Sequence, residues 1–211
     1  MEIKIFTFSP FQENTYVLYD ETGEAIIIDA GCLFDAEKEE LKAFIENNNL
    51  TLKRVINTHL HLDHQFGNKF LYDTFGIAPE ANQKDEFLVD MYPVQTQTFG
   101  FENAGEAQPL KGYLEDDEKV VFGNTELRAI FVPGHSPGSL AYYSEKDNIL
   151  FSGDVLFLES IGRTDLVGGD YATLIRSITE RLFTLPDTTV VYPGHGDNTT
   201  IGYEKMNNPY L

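Results

Sequence analysis

Thr58-His59-Leu60-His61-Leu62-Asp63-His64 directly follows a short strand-like run at residues 53–57. Four side chains of metal-ligating type stand in this stretch. The other two of the chain's five histidines sit in Pro133-Gly134-His135 and Pro193-Gly194-His195, natural turns at strand ends. Imidazole nitrogen and carboxylate oxygen bind divalent ions at about 2.0–2.2 Å, so several side chains must converge on one point. In extended chain, residues two apart point to the same side, so His59 and His61 can face one ion. The chain then turns, and Asp63 and His64 can face a neighbouring position. Each position still needs a distant ligand. A polar surface loop with solvated histidines is the bland alternative, and the density of ligand types argues against it.

Composition frames what the rest of the chain can be. A length of 211 residues with 42% hydrophobic content supports one sizeable core, and a single domain over 1–211 is the simplest reading, with no repeat or linker-like stretch. The N-terminal segment Met1-Glu2-Ile3-Lys4-Ile5-Phe6-Thr7-Phe8 alternates like a strand and does not read as a signal peptide. No apolar run is long enough to span a membrane. Cys32 is the single cysteine, compatible with a reducing cytoplasm, where the protein is expected to reside. A net charge of −19, with Lys53-Arg54 the only adjacent basic pair, would repel a phosphate backbone and argues against nucleic acid as a partner. The acidic runs at 37–40 and 115–118 read as solvated faces.

Strands are expected at residues 3–8, 15–19, 24–28, 53–57, 118–122, 126–132, 140–144, 148–151 and 189–192. Helical spacing marks 35–48, 65–75 and 170–184, with a short helix at the C-terminus. Residues 80–114 carry no clean period beyond a helix expected over 83–91. His135, Asp154 and His195 each follow an apolar strand, where a rigid scaffold usually presents catalytic side chains. A carboxylate such as Asp154 can bridge two cations.

In chain order, the THxHxDH stretch, Pro133-Gly134-His135-Ser136-Pro137-Gly138, Ser152-Gly153-Asp154-Val155-Leu156-Phe157 and Pro193-Gly194-His195 resemble the metallo-β-lactamase fold superfamily. The resemblance covers nearly the whole chain, including Ile28-Asp29-Ala30-Gly31. It implies an α/β, four-layer αββα sandwich: two mixed sheets face each other, with helices outside and the site at one sheet edge. It also implies two divalent metal ions, zinc first, with iron or manganese possible. His59, His61 and His135 would bind one, Asp63, His64 and His195 the other, and Asp154 would bridge them. Asp29 would orient a ligand histidine, against the equal reading of a strand-end turn carboxylate.

Within the superfamily, His61 replaces the acidic residue of flavodiiron-type members, which disfavours oxygen reduction at a di-iron centre. Asp154 stands where the main β-lactamase subclass has cysteine, which argues against antibiotic hydrolysis. Gly153-Asp154-Val155-Leu156-Phe157 and Ile161-Gly162-Arg163-Thr164-Asp165-Leu166 are most similar to the compact glyoxalase II-like (hydroxyacylglutathione hydrolase-like) group. That resemblance implies a thioesterase acting on a small-molecule thioester, in which a metal-bridging hydroxide attacks the carbonyl. Asp63 is then a ligand that could also orient the hydroxide. Full-length glyoxalase II has a C-terminal helical region that grips glutathione, and residues 1–211 do not include one. The usual Gly-Lys-x-Tyr segment is Gly162-Arg163-Thr164-Asp165 here, which leaves Arg163 as the candidate substrate contact without its tyrosine. A persulfide dioxygenase with one iron on His59, His135 and Asp154, or a lactonase, are the rivals within this fold. A non-enzymatic metal-binding protein is the outside option.

Overall fold

In the computed structural model of the chain, residues 1–101 and 104–211 are described. In chain order the elements are β1 (Glu2–Phe8), β2 (Glu13–Tyr19), β3 (Glu24–Ile28), α1 (Asp35–Asn47), β4 (Thr51–Ile56), α2 (Asn68–Phe75), β5 (Pro79–Ala81), α3 (Phe87–Thr98) and β6 (Gly112–Tyr113). There follow β7 (Lys119–Phe122), β8 (Thr125–Phe131), β9 (Leu140–Ser144), β10 (Ile149–Gly153), β11 (Leu156–Phe157), β12 (Ser160–Ile161), α4 (Tyr171–Ser177), β13 (Val190–Pro193), β14 (Thr199–Thr200) and α5 (Ile201–Asn207). Two six-stranded sheets result, in the orders β1-β2-β3-β4-β5-β6 and β14-β13-β10-β9-β8-β7. Both are mixed: β3, β4, β5 and β6 run parallel in the first, and β10 with β13 in the second.

Period-two alternation builds the layers. Tyr16, Leu18, Ile26 and Ile28 of the first sheet meet Leu127, Leu140, Tyr142 and Phe151 of the second in one buried cluster. The intervening Val17, Ala25 and Ile27 point the other way, onto Leu41 and Ile45 of α1 and Leu71 of α2. Ala141, Tyr143 and Leu150 likewise face Leu174 of α4 and Ile201 of α5. The result is the expected helix–sheet–sheet–helix sandwich. Each fully buried Leu or Ile contributes roughly 1.5–3 kcal/mol, against about 0–1 kcal/mol for an exposed ion pair, so burial and not the charged surface holds the layers. No helix among the described residues is long and apolar enough to cross a membrane.

Three elements differ from expectation. The helix expected over 83–91 is a 3-10 turn at Gln83–Asp85 followed by α3, which runs through Pro93. Proline usually ends a helix, but Leu88, Tyr92 and Thr96 form a buried i, i+4, i+8 stripe, and packing overrides the local break. The helix expected from 65 begins at Asn68, because Leu62–His64 is taken up by a 3-10 turn. The long helix expected over 170–184 is α4 continued by a π-helical turn, Ile178–Leu182. Strands β5, β6, β11, β12 and β14 have two or three residues each, too short for any period to show.

Backbone hydrogen bonds tie the strand-end loops of the two sheets together at one edge. Leu140 N–H donates to the Thr58 carbonyl (2.8 Å), Gly194 N–H to Gly153 (2.9 Å), Asn14 N–H to Gly194 (2.7 Å) and Asp170 N–H to Gly134 (2.8 Å). Gly134 has φ +131°, and a Cβ there would overlap the Leu174 backbone midway along α4. Gly134→Ala should therefore destabilise the protein by about 3 kcal/mol, from left-handed strain plus overpacking. A lowered urea midpoint at unchanged slope checks this.

Candidate metal centre

The seven residues singled out as ligands arrive from four loops. His59, His61, Asp63 and His64 follow β4, His135 follows β8, Asp154 follows β10 and His195 follows β13. The structure brings them together at the floor of one cavity as two adjoining sets, with His59, His61, His64 and His135 buried and Asp63, Asp154 and His195 partly exposed. In the first, His135 Nε2 lies 2.8 Å from His61 Nδ1 and 3.2 Å from His59 Nε2. A tetrahedral shell with bonds of about 2.0–2.1 Å has ligand–ligand edges near 3.3 Å, so these spacings suit one ion. In the second set, Asp63 Oδ2 lies 3.2 Å from His195 Nε2 and 3.8 Å from His64 Nε2. Asp154 stands between them: its Oδ2 is 3.6 Å from His135 Nε2 and 3.5 Å from His195 Nε2.

Two further observations fit cations here. His64 Nε2 and Asp154 Oδ1 are buried without a hydrogen-bond partner, which is costly for polar atoms left unmet. The opposite nitrogens of four of the five rings are engaged, which fixes their orientation, whereas His61 Nε2 is buried without a partner. His64 Nδ1 is 3.0 Å from Asp29 Oδ2. His59 Nδ1 is 3.0 Å from Thr58 Oγ, which itself donates to Asp29 Oδ2 at 2.7 Å. His135 Nδ1 meets the Arg163 carbonyl at 2.8 Å, and His195 Nδ1 the Phe11 carbonyl at 3.0 Å. Asp29 thus sits behind two ligand candidates rather than capping a turn in solvent. Gly194 shows the tightness of the site, since an added Cβ would overlap Asp154 Oδ1.

The electrostatics divide the histidines. Burial, with the neighbouring imidazoles adding to it, pushes His59 well down and His61 down to about 3. Burial acts the same way on His64, but the carboxylates of Asp154, Asp63 and Asp29 outweigh it and hold His64 well above its ordinary value. His195 is held up to about 10, as hydrogen bonds to Asp154 and Asp63 overcome burial. Burial would raise both carboxylates, yet His64 and His195 keep Asp154 well below the usual range and Asp63 below it.

Several residues of the site had no signal in the sequence. Asp85, fully buried, accepts from Ser136 Oγ (2.7 Å), Gly138 N–H (2.5 Å) and Leu60 N–H (3.3 Å), and so staples the His135 loop to the histidine cluster. It lies in the 3-10 turn Gln83–Asp85, where a helix over 83–91 was expected and nothing marked this carboxylate as buried. Glu13 is equally buried, with burial pushing its carboxyl up, and accepts from Thr15 Oγ at 2.7 Å. Arg163, the candidate substrate contact, borders the cavity above the site, but its guanidinium is engaged: Nε and Nη2 each reach an Asp165 oxygen at 2.7 Å. Cys32 is buried in the core, with no histidine–thiol pairing.

A cavity of about 510 Å³ opens over Asp63, Asp154, His61, His135 and His195, walled by Phe11, Leu88, Phe99 and Phe157. The model of the metallo-beta-lactamase superfamily matches residues 8–195. A hydroxyacylglutathione hydrolase, GloC, from Haemophilus influenzae is 38% identical over 212 residues, covering 100% of this chain and 98% of its own. The crystal structure of BLEG-1, a B3 metallo-beta-lactamase, is similar at TM-score 0.90 and 37% identity, covering 100% of this chain and 99% of its own. That of TTHA1623 in a di-iron-bound form is similar at TM-score 0.87 and 33% identity, covering 99% and 100%.

Two outcomes follow from the geometry and charge. Asp85→Ala should loosen the His135 loop and cut metal retention roughly 10–100-fold, seen as lower metal content after dialysis of a protein that still folds cooperatively. Raised pKa values mean that His64 and His195 carry protons at neutral pH and must shed them before ligating, whereas His59 and His61 are already neutral. Lowering pH from 8 to 6 should therefore weaken uptake at the Asp63/His64/His195 set by about tenfold per proton per pH unit, and barely affect His59 and His61. Metal titration in buffers of differing ionisation enthalpy counts the protons released.

Proposed function

The chain belongs to the metallo-beta-lactamase superfamily, and on that premise we propose that it is a binuclear metal-dependent thioesterase of the glyoxalase II-like kind. The observation that carries this reading is the place of Asp154 Oδ2, within 3.6 Å of a nitrogen from each ligand set and directly beneath the cavity. His59, His61 and His135 would hold one divalent cation, Asp63, His64 and His195 a second, and Asp154 both. The imidazole and carboxylate donors suit zinc first, and also iron or manganese. Two such ions together supply a hydroxide nucleophile near neutral pH and polarise a carbonyl.

The chain's own residues do the rest. Asp29, through His64 directly and through Thr58 to His59, keeps ligand nitrogens aimed inward. Asp63, a ligand bordering the cavity, can accept a hydrogen bond from the attacking oxygen and so orient it. Phe11, Leu88 and Phe99 line the cavity with apolar surface that excludes competing water. A thiol leaves as thiolate with a pKa of about 8.5, so a thioester asks little of a general acid, and no cavity residue is needed to protonate it. The full-length match to a protein named hydroxyacylglutathione hydrolase supports the same bond.

A single-iron dioxygenase on His59, His135 and Asp154 would leave the Asp63, His64 and His195 set without a role, which favours the hydrolase. Lactone and β-lactam carbonyls are open to the same attack and belong in the assay. Chelation should abolish hydrolysis of S-D-lactoylglutathione and related thioesters by at least roughly 100-fold, with recovery on adding zinc, iron or manganese. Oxygen uptake with a persulfide, or turnover confined to lactones or β-lactams, would replace this reading.

A further inference from the structure

Setting the ligand candidates aside, Gln95 and Arg163 are the polar residues lining the cavity among those described, and Gln95 stands on its apolar wall. Leu88, Gln95 and Phe99 recur on α3 at i, i+7 and i+11, so they form one row along the helix. Leu88 is 1% exposed and packs on Leu60, between the first two histidines, whereas Phe99 is 56% exposed at the rim. Asp85, just before α3, accepts from Leu60 N–H and from Ser136 beside His135, so the start of the helix adjoins the ligands. Seven residues of helical rise place Gln95 roughly 10 Å further toward the mouth than Leu88.

Gln95 Oε1 is buried without a hydrogen-bond partner among the described residues. A buried polar atom left unmet opposes folding. Leucine or methionine would fill the place without that penalty, as Leu62 and Leu88 do on the same wall. The last torsion of a glutamine is broad and two-fold, so the carboxamide can turn either its oxygen or its nitrogen toward the cavity. A substrate group that both donates and accepts, set back from the reacting carbon, matches it. In a thioester held with its carbonyl at the metals, a hydroxyl beside that carbonyl stays near the ligands. A secondary amide two carbons beyond the sulfur, as in peptide-type and pantetheine-type thiols, reaches further out.

We propose that Gln95 is a specificity-determining residue that hydrogen-bonds the amide of the thiol carrier, and so selects amide-bearing carriers over plain alkyl thiols. The inference rests on the thioester reading above and deepens it. Charged and uncharged carriers are both admitted, S-D-lactoylglutathione among them, because the amide is what they share. Discrimination comes from what is left unmet. An alkyl carrier expels water and strands the Gln95 carboxamide against apolar surface, whereas a carrier amide satisfies it.

Two unreactive thioethers of equal length isolate the amide: N-acetyl-S-hexylcysteamine carries it, and 2-ethoxyethyl hexyl sulfide has an ether in its place. Titration calorimetry on the zinc-loaded protein should show Gln95→Leu weakening the amide probe by about fivefold, the scale of one neutral hydrogen bond. Binding of the ether probe should stay equal or tighten. The thermal midpoint of Gln95→Leu should stay level or rise, since the carboxamide oxygen has no internal partner to lose. Equal changes for the two probes, with or without a lowered midpoint, would mark a structural residue and overturn the inference. So would unmoved probe binding together with loss of a preference for S-D-lactoylglutathione over S-propionylglutathione, which would put the acyl hydroxyl at Gln95. Binding is read without turnover, so a protein that holds the amide probe through Gln95 yet hydrolyses no thioester would overturn the hydrolase reading and not the contact.

Discussion

Asp29 does not line the cavity over the ligands, and the site depends on it. Its carboxylate accepts from Thr58 N–H, Thr58 Oγ, Asn57 Nδ2 and His64 Nδ1. The residue sits at φ +50°, an uncommon backbone state for anything but glycine. That state costs about 1–2 kcal/mol, while hydrogen bonds to a charged group contribute about 1.5–3 kcal/mol each, so the network outweighs the strain. The kink at the end of β3 turns the carboxylate toward the loop after β4. From there it aims His64 directly and His59 through Thr58. The two sheets meet at this edge, and the backbone bonds from Leu140 to Thr58 and from Asn14 to Gly194 transmit the same order to the loops of the second sheet.

One donor chemistry serves two electrostatic environments. His59 and His61 lie among other imidazoles and are kept neutral, whereas His64 and His195 lie among carboxylates and hold protons. The first set resembles a ready neutral pocket for a cation, and the second exchanges protons for one. Asp154 faces both, so the charge of one set is felt by the other through a single carboxylate. Above them the cavity is walled by Phe11, Leu88, Phe99 and Phe157.

The sandwich and the metal-ligand loops were legible because both depend on local signals. Short apolar runs at 15–19, 24–28 and 140–144, buried on both faces, match β2, β3 and β9 closely, and every histidine follows a strand, where the structure also places it. Asp85 was illegible, since its partners Leu60, Ser136 and Gly138 lie far away in sequence and nothing in Gln83-Lys84-Asp85-Glu86 distinguishes it from a surface acid. The helix expected over 83–91 stopped short of α3, which runs on through Pro93, because Tyr92 is buried against Leu62 and Phe66, and Leu88 against Leu60 and Ala81, partners that all lie outside the helix. Arg163 was legible as the candidate substrate contact, whereas its pair with Asp165, two residues on, shows only in the structure.

The central claim is that two cations share Asp154. Anomalous diffraction from crystals of the metal-loaded protein tests it most directly. The account predicts two peaks per chain, roughly 3.5–4 Å apart, one amid His59, His61 and His135 and the other amid Asp63, His64 and His195, with Asp154 between them. A single peak in fully loaded protein, on His59, His135 and Asp154 alone, would contradict it.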